Sequence, residues 1–210
     1  MDRINKYRAA VYFLQLNRQD CSLFYELNTR LLKQCEAQFL PFIVGPEFVL
    51  EPDSFYQLID QNPVPNLTFT LSGRNTGKST TLAMAVAALL CVLDAKLVIT
   101  LVGDYGTKLL MLIQRFFIQL PDRPNILKMT LSTLIIENMA KITLKLDDST
   151  NIIIIDEDEH LENADWLLLE DKRCVICVSS PVEASSSGKI KAALPGNLLD
   201  YSGNAPWVDD

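Results

Sequence analysis

A loop that combines glycines, a lysine and hydroxyl side chains is the part of the chain best suited to chemistry. Residues 70–80 read Thr-Leu-Ser-Gly-Arg-Asn-Thr-Gly-Lys-Ser-Thr, between the β-prone run Leu67–Leu71 and an apolar segment of helical character. In such a strand–loop–helix unit, backbone N–H groups wrap phosphates, Lys78 reaches the β- and γ-phosphates and the Ser79 hydroxyl holds Mg²⁺. We therefore expect a nucleoside triphosphate, with Mg²⁺ as cofactor, to bind Gly73, Arg74, Asn75, Thr76, Gly77, Lys78, Ser79 and Thr80.

The loop departs from the usual phosphate-binding pattern at one position. Such loops begin with glycine five residues before Gly77, where this chain has Ser72 followed by Gly73. Arg74 is also unusual inside a loop of this kind. Two interpretations of Arg74 stay open: an internal arginine finger that neutralises charge on the γ-phosphate in the transition state, and an arginine that faces solvent or braces the loop.

A second set of chemical groups follows an apolar run. Residues 152–155 are four isoleucines, and Asp156 and Glu157 come directly after them. A continuous β-branched run suits a central parallel strand, which would deliver Asp156 to the carboxyl edge of the sheet. We expect Asp156 to hold the Mg²⁺ shell with Ser79, and Glu157 to orient and polarise the attacking water, an arrangement that favours hydrolysis over phosphoryl transfer to a small acceptor.

The next apolar run, residues 175–178, ends in Ser179-Ser180-Pro181. A polar strand end at this place could sense the γ-phosphate, although an ordinary strand-ending turn would have the same residues.

The pattern around these motifs predicts an α/β fold. Residues 4–41 have helical periodicity, with Tyr12 and Leu16 among the apolar positions, a break at Asn17–Asp20 and a loop around Pro41. Strands and helices then alternate: we expect strands at 67–71, 96–102, 126–131, 151–156 and 173–179, a hairpin at 134–146, and helices at 53–60, 78–93, 109–120 and 164–170. This predicts a three-layer P-loop NTPase with a mainly parallel central sheet, in which residues 1–62 form a helical segment and residues 63–210 the ATPase core.

Composition narrows the class of protein. The chain has 210 residues, 49% of them hydrophobic, and a net charge of −7, which argues against an autonomous, strongly basic DNA-binding module. No apolar run reaches the roughly 18–20 residues that span a bilayer, and the N-terminus does not resemble a signal peptide. Five cysteines without a secretion signal favour a reducing, intracellular setting and no membrane partner. Cys174 and Cys177 have the spacing of a zinc or redox pair, but on a strand they face opposite sides.

Together these motifs resemble the ATPase domain of the large terminase subunit, the motor that packages DNA into capsids of herpesviruses and tailed phages. The likeness covers roughly residues 67–210 and includes Arg74-x-x-Gly-Lys, the Asp156-Glu157 strand end and Ser179-Ser180. It implies an ATP hydrolase in which Lys78, Arg74 and Glu157 are catalytic, while Ser179 and Ser180 couple hydrolysis to movement.

The resemblance also implies partners and a location. These are double-stranded DNA, a capsid portal, other terminase subunits and a homo-oligomeric ring, in the host nucleus for a herpesvirus-like protein and otherwise in the host cytoplasm. Candidate DNA contacts are Lys141, Lys145, Lys189 and Lys191, and candidate adenine contacts are Phe55, Tyr56 and Gln57.

The chain departs from the terminase pattern in three ways. Its hairpin runs almost directly into the Asp-Glu strand, Pro181 stands where threonine is common, and we identify no C-terminal nuclease domain.

Three alternatives share some of these features. A helicase-like or recombination ATPase has the same two motifs, but further helicase motifs are not recognisable. A nucleotide kinase has a similar size, but the Asp156-Glu157 pair and the lack of an arginine-rich lid argue against it. A non-hydrolysing, structural NTP-binding subunit is disfavoured by the intact Lys78, Ser79, Asp156 and Glu157.

Overall fold

A computed structural model describes residues 2–17, 25–44, 67–71, 76–93, 96–103, 105–156, 174–179 and 197–200. Within these ranges lie four helices and eight strands. The helices are α1 (Arg3–Leu16), α2 (Tyr25–Val44), α3 (Lys78–Leu90) and α4 (Gly106–Gln119). The strands are β1 (Leu67–Leu71), β2 (Val98–Val102), β3 (Ile126–Met129), β4 (Thr133–Ile136), β5 (Lys141–Thr143), β6 (Ile152–Asp156), β7 (Cys174–Ser179) and β8 (Asn197–Asp200).

The eight strands form one sheet in the order β3-β4-β5-β2-β6-β7-β1-β8. The six strands from β5 to β8 in this order are mutually parallel, whereas β3 and β4 pair antiparallel at one edge. The expected α/β fold with a mainly parallel sheet is confirmed. Because parallel strands end at the same edge, β2, β6, β7, β1 and β8 all present their last residues on one side of the molecule.

Strand β6 is buried along its whole length. All five of its residues are buried, and successive side chains on a strand point to opposite faces. Both faces of the sheet are therefore covered at its centre, as the run of four isoleucines predicts.

Helix α3 is the helix with the most complete burial, since 11 of its 13 residues are buried. Its alanines, at positions 83, 85, 87 and 88, allow close approach by other elements. Helices α1, α2 and α4 all pack against α3, so the N-terminal helices share one hydrophobic core with the segment that follows β1. Arg8 also ties α1 to α2, because its Nε donates to both carboxylate oxygens of Glu36 at 3.0 and 3.1 Å.

The N-terminal helices differ from expectation in two places. Tyr12 and Leu16 are 62% and 66% exposed, and the buried face of α1 consists instead of Tyr7, Val11 and Leu14. The expected loop at Pro41 is wrong as well, because α2 continues through it to Val44. Proline removes a backbone N–H donor from the helix, but the completely buried Phe39 and Ile43 on either side hold this last turn against the core.

The later elements follow the sequence prediction closely, apart from their ends. Helix α3 stops at Leu90 rather than at residue 93, and β2 starts at Val98 rather than at residue 96. Helix α4 starts at Gly106 rather than at residue 109. The buried stripe of α4 is confirmed, with Leu109, Ile113, Phe117 and Leu120 facing the core. Strand β8 was not predicted, and the expected helices at 53–60 and 164–170 lie outside the described residues.

None of the helices that the structure describes is both long enough and apolar enough to cross a membrane.

Truncation of Ile154 tests the central position of β6. Ile154→Ala removes a fully buried side chain between packed faces, so we expect the free energy of unfolding to fall by about 2–5 kcal/mol. Urea denaturation measures this change. The matched control, Leu127→Ala, truncates a side chain that is 58% exposed and should change stability by about 0.5 kcal/mol or less. Equal losses in the two variants would contradict the assignment of β6 to the core.

Candidate functional site

The site begins at a sharp turn before α3. Gly77 has φ 81° and ψ 18°, the left-handed conformation that glycine adopts without steric cost. Its carbonyl accepts a 2.9 Å hydrogen bond from the Thr81 amide, which closes the first turn of the helix. Gly77 therefore sets where α3 starts and places Lys78 and Ser79 in its first turn, where backbone N–H groups lack intrahelical partners.

A hydrogen bond joins this turn to the end of the isoleucine strand. The Ser79 hydroxyl donates to Asp156 Oδ1 at 2.9 Å, across 77 residues of sequence. Strand β7 lies between β1 and β6, so the ends of β1 and β6 are separated by about 10 Å, two strand spacings. The Ser79–Asp156 contact thus connects the segment after β1 to β6 across the end of β7.

The charged groups at this place are buried. Asp156 is 3% exposed and Lys78 is 4% exposed, while Thr76 and Thr81 are also inaccessible. Burial of a charge is costly unless an opposite charge or hydrogen bonds compensate it, and structures retain such groups mainly where they are paired or functional. A cation at the first residue of a helix also adds to the positive end of the helix dipole. The turn is therefore electropositive, beside a carboxylate at the sheet edge.

Ser79 and Asp156 form a donor set that fits Mg²⁺. Magnesium prefers oxygen ligands at about 2.0–2.1 Å in octahedral geometry, in which adjacent ligands lie about 2.9 Å apart. The two oxygen atoms have this separation. A hydroxyl and a carboxylate are also the hard donors that this ion selects. These two side chains could therefore hold the metal between them.

The structure brings five of the expected loop residues to this site and leaves others undescribed. Thr76, Gly77, Lys78, Ser79 and Thr80 lie at or next to the turn. The remaining site residues, Gly73, Arg74, Asn75, Glu157 and Ser180, lie outside the described residues, as do Phe55, Tyr56, Gln57, Lys189 and Lys191.

Ser179 is at the same edge of the sheet. It is the last residue of β7 and pairs with Leu71, the last residue of β1, while the preceding Val178 pairs with Asp156. Its backbone therefore lies between the two strands that contribute to the Ser79–Asp156 contact.

The candidate DNA contacts Lys141 and Lys145 lie on and just after β5. Hydrogen bonds from Ser149 are the main cause that lowers the pKa of the exposed Asp147 carboxylate, and the charges of these two lysines contribute to the same shift. Because Asp147 partly neutralises these two lysines, they do not form a purely basic surface.

Sequence reasoning missed the strand on the far side of β1. Asp200, the last residue of β8, pairs with Leu71 and so adds an acidic residue to the carboxyl edge. Only two apolar residues, Leu198 and Leu199, mark this strand in the sequence, which is too short a pattern to separate from loop.

Among the described cysteines, Cys35, Cys174 and Cys177 are buried and Cys91 is half-buried. Burial raises the pKa of Cys174 to about 12, and burial is also the main reason that the pKa of Cys91 rises to about 12. The thiolate is the reactive form, so these groups are poor nucleophiles and poor metal ligands at neutral pH. Within the described residues no group of three or more His, Cys, Asp and Glu side chains is arranged to hold a metal ion, and Cys21 is outside them.

Comparison with known proteins does not assign the chain to a family. No protein-family model matches it, and no curated protein matches it. Among solved structures, the crystal structure of Rif2 in complex with the C-terminal domain of Rap1 contains a chain with 13% identity and a TM-score of 0.32, over 88% of this chain and 61% of that chain. Similarity at this level carries no argument about function.

Substitution of Gly77 tests the turn that starts α3. In Gly77→Ala the positive φ would place the added Cβ atom too close to the following carbonyl oxygen. We therefore expect a loss of about 1–2 kcal/mol in the free energy of unfolding. Gly77→Asn is the matched control, because asparagine tolerates this conformation better and should retain more of the stability. Urea denaturation compares the two, and equal or greater damage from asparagine would contradict the left-handed turn.

Proposed function

We propose that this chain is a Mg²⁺-dependent ATPase of the P-loop type. The observation that carries the proposal is the 2.9 Å contact between Ser79 and Asp156 at the carboxyl edge of a parallel sheet. In P-loop NTPases a loop serine or threonine and a strand-end aspartate hold the metal, and a lysine next to that serine contacts the phosphates. This chain has the same three residue types on the corresponding elements, with Lys78 directly before Ser79.

Phosphate binding in this proposal uses the start of α3. The N–H groups of the first helical turn and the positive end of the helix dipole favour an anion at this place. Lys78 adds a full charge at the first helical residue, where it contacts the β- and γ-phosphates. Burial strengthens this attraction, because water screens the charges less than at an open surface.

Ser79 and Asp156 would hold the metal. Mg²⁺, when bound, neutralises charge on the phosphate oxygens. The Ser79 hydroxyl oxygen and the Asp156 carboxylate would serve as its ligands, directly or through water. Asp156 pairs with Val178 of β7, and the preceding Ile155 pairs with Val102 of β2, so the ladder holds the end of β6 from both sides.

Hydrolysis in this proposal depends on Glu157, the residue after Asp156 in the sequence. A carboxylate there orients and polarises the water that attacks the γ-phosphate, and it takes up a proton from that water. Arg74 stabilises the transition-state charge, or else braces the loop. Ser179, at the end of the strand between β1 and β6, and Ser180 pass the state of the γ-phosphate to the rest of the protein.

A narrower proposal places this ATPase in a DNA-packaging terminase. Its support is the resemblance of the three motifs to the large terminase subunit. In this role ATP hydrolysis drives double-stranded DNA into a capsid through a portal. The chain then works as a homo-oligomeric ring with other terminase subunits, in the host nucleus if it is herpesvirus-like and otherwise in the host cytoplasm.

Two substitutions separate ATP binding from ATP hydrolysis. Lys78→Ala removes the charge that contacts the phosphates, so we expect Mg-ATP binding to weaken by about tenfold or more. Glu157→Gln keeps the size of the side chain but cannot take a proton, so binding should persist while turnover falls by about 10²–10⁴. Calorimetric titration measures binding, and phosphate release measures turnover.

The matched control is Lys96→Ala, which removes an exposed lysine just before β2. It should leave both binding and turnover unchanged. Binding that survives in Lys78→Ala, or turnover that survives in Glu157→Gln, would contradict the proposed ATPase mechanism.

Addition of nucleic acid tests the narrower proposal. If the chain moves double-stranded DNA, duplex DNA should raise the rate of phosphate release, and salt should weaken this effect because phosphate contacts release counterions. Single-stranded DNA and free nucleosides serve as comparisons. Stimulation by single strands alone would indicate a helicase-like ATPase, and phosphate transfer to a nucleoside would indicate a kinase, so either result would overturn the packaging assignment without overturning ATP binding.

A further inference from the structure

One edge of the described structure carries exposed apolar side chains that the proposed ATPase does not use. We define them as the edge patch: Met111 and Ile118 on α4, and Leu127, Met129 and Leu131 on and just after β3. These side chains are 46–68% exposed. Apolar side chains that are exposed singly are normal on a protein surface, whereas a group of them at one place marks an interaction site.

The two parts of the edge patch lie next to each other. Gln114 Nε2 donates to the Thr130 carbonyl at 2.7 Å, which holds the middle of α4 beside the turn after β3. Met111 and Ile118 are three residues before and four residues after Gln114, so they lie on the same side of the helix as Gln114. The patch is therefore one surface that runs from α4 to the turn between β3 and β4.

Basic side chains lie among the apolar ones. Along one exposed stripe of α4 the two kinds alternate at spacings of three and four residues. This stripe consists of Lys108, Met111, Arg115 and Ile118. At its start Lys108 Nζ lies 4.5 Å from the centroid of the exposed Tyr105 ring. A ring with a polar end suits a boundary between an apolar and an aqueous phase, so Tyr105 extends the amphipathic character of the stripe.

The charge of this region is opposite to that of the whole chain. Residues 105–131 contain four basic side chains and one acidic side chain, a net charge of +3, whereas the whole chain has a net charge of −7. Of the basic residues, Lys108, Arg115 and Lys128 are exposed. The edge patch thus combines apolar side chains with positive charge on an otherwise acidic protein.

We propose that the edge patch binds the surface of a membrane that contains anionic lipids. The apolar side chains enter the boundary between headgroups and acyl chains, and the basic side chains meet the negative headgroups. Each lysine or arginine near such a surface adds to the attraction, because the negative surface potential acts on it. The acidic remainder of the chain is repelled, so the electric field turns the edge patch towards the membrane.

The composition of the edge patch favours a membrane over nucleic acid. A duplex neutralises cations through its phosphates, and interfaces with DNA are more polar than those between proteins. The five apolar side chains of the patch would gain little from such a partner. A bilayer satisfies both kinds of side chain at once, because its charged headgroups lie directly above its apolar core.

The position of the edge patch favours a membrane over a protein partner. Leu127 and Met129 lie on β3, at the end of the strand order, and Leu131 lies in the turn that follows. A protein partner would need a surface that matches these side chains closely in shape, whereas a fluid bilayer adapts to them. Strand pairing through β3 is also disfavoured, because a lysine on an edge strand, here Lys128, discourages it.

This contact is peripheral and does not depend on the proposed ATPase. Binding at the interface needs apolar and basic side chains on one surface rather than a segment that crosses the bilayer. It differs from the sequence-based expectation of no membrane partner. None of the patch residues lies at the Ser79–Asp156 contact, so the Lys78→Ala chain should bind membranes as the unchanged chain does. Failure of ATP binding and failure of membrane binding are therefore distinguishable.

Co-sedimentation of the full chain with lipid vesicles tests the proposal. We expect binding to vesicles of phosphatidylcholine and phosphatidylserine in a ratio of about 7:3, and much weaker binding to phosphatidylcholine alone. Raised salt should weaken the binding, because screening reduces charge attraction. Leu131→Ser and Arg115→Glu each alter an exposed position, so the fold should survive, which circular dichroism checks. Each should raise the lipid concentration for half-maximal binding by about tenfold or more.

The matched controls alter the same kinds of residue on the N-terminal helices. Tyr12→Ser removes an exposed aromatic side chain from α1, and Lys33→Glu reverses an exposed charge on α2, and neither should change vesicle binding. A chain that does not bind the anionic vesicles would overturn the proposal, as would binding that the two patch variants leave intact.

Two further measurements on the same variants identify a different partner. Binding to duplex DNA that is lost in Arg115→Glu but kept in Leu131→Ser, without binding to vesicles, would overturn the proposal and assign the edge patch to nucleic acid. Self-association that both variants abolish, again without binding to vesicles, would overturn it in favour of a protein partner.

Discussion

The position of β7 between β1 and β6 is the constraint on which the candidate site depends. It separates the two strands that supply the chemical groups, so the turn at Gly77 and the first turn of α3 must bring Ser79 to Asp156 across the end of β7. If β1 and β6 were direct neighbours, a strand spacing of about 5 Å would leave little room above the sheet edge. With β7 between them, the space above the sheet edge is wider, and the end of β7 bounds it from below.

Burial of α3 keeps this arrangement in place. Nearly every side chain of the helix is in the core, and α1, α2 and α4 surround it. Interiors of this kind are packed as densely as organic crystals, so the start of α3 has little freedom to shift relative to β6. Helices α1 and α2 carry no recognisable chemical motif and supply no residue to the described site. By packing against α3 they nevertheless help to fix the position of Ser79 relative to Asp156.

The sequence predicted the site-bearing elements well, because several local signals agreed there. The four isoleucines before Asp156, and the glycine before Lys78, specify a buried strand and a helix start without help from distant contacts. The sequence-based prediction was less accurate where tertiary packing determines the bounds or the buried face of an element. Proline usually ends a helix, yet α2 continues through Pro41 because Phe39 and Ile43 on either side are buried in the core. The buried face of α1 is determined by its packing against α2 and α3, because its own apolar periodicity is ambiguous. Strand β8 is defined by its pairing with β1, and two adjacent leucines are too short a local pattern to predict that pairing.

The two ends of β7 meet very different surroundings. Ser179 is at the edge that holds the candidate site, whereas the Cys174 thiol, at the other end, lies 3.9 Å from the carbonyl of Gln38 in α2. Hydrogen bonds to β1 and β6 on both sides make this strand stiff along its axis. The extended backbone of β7 therefore links the edge that bears the candidate site to the N-terminal helix α2 over a length of about 17 Å.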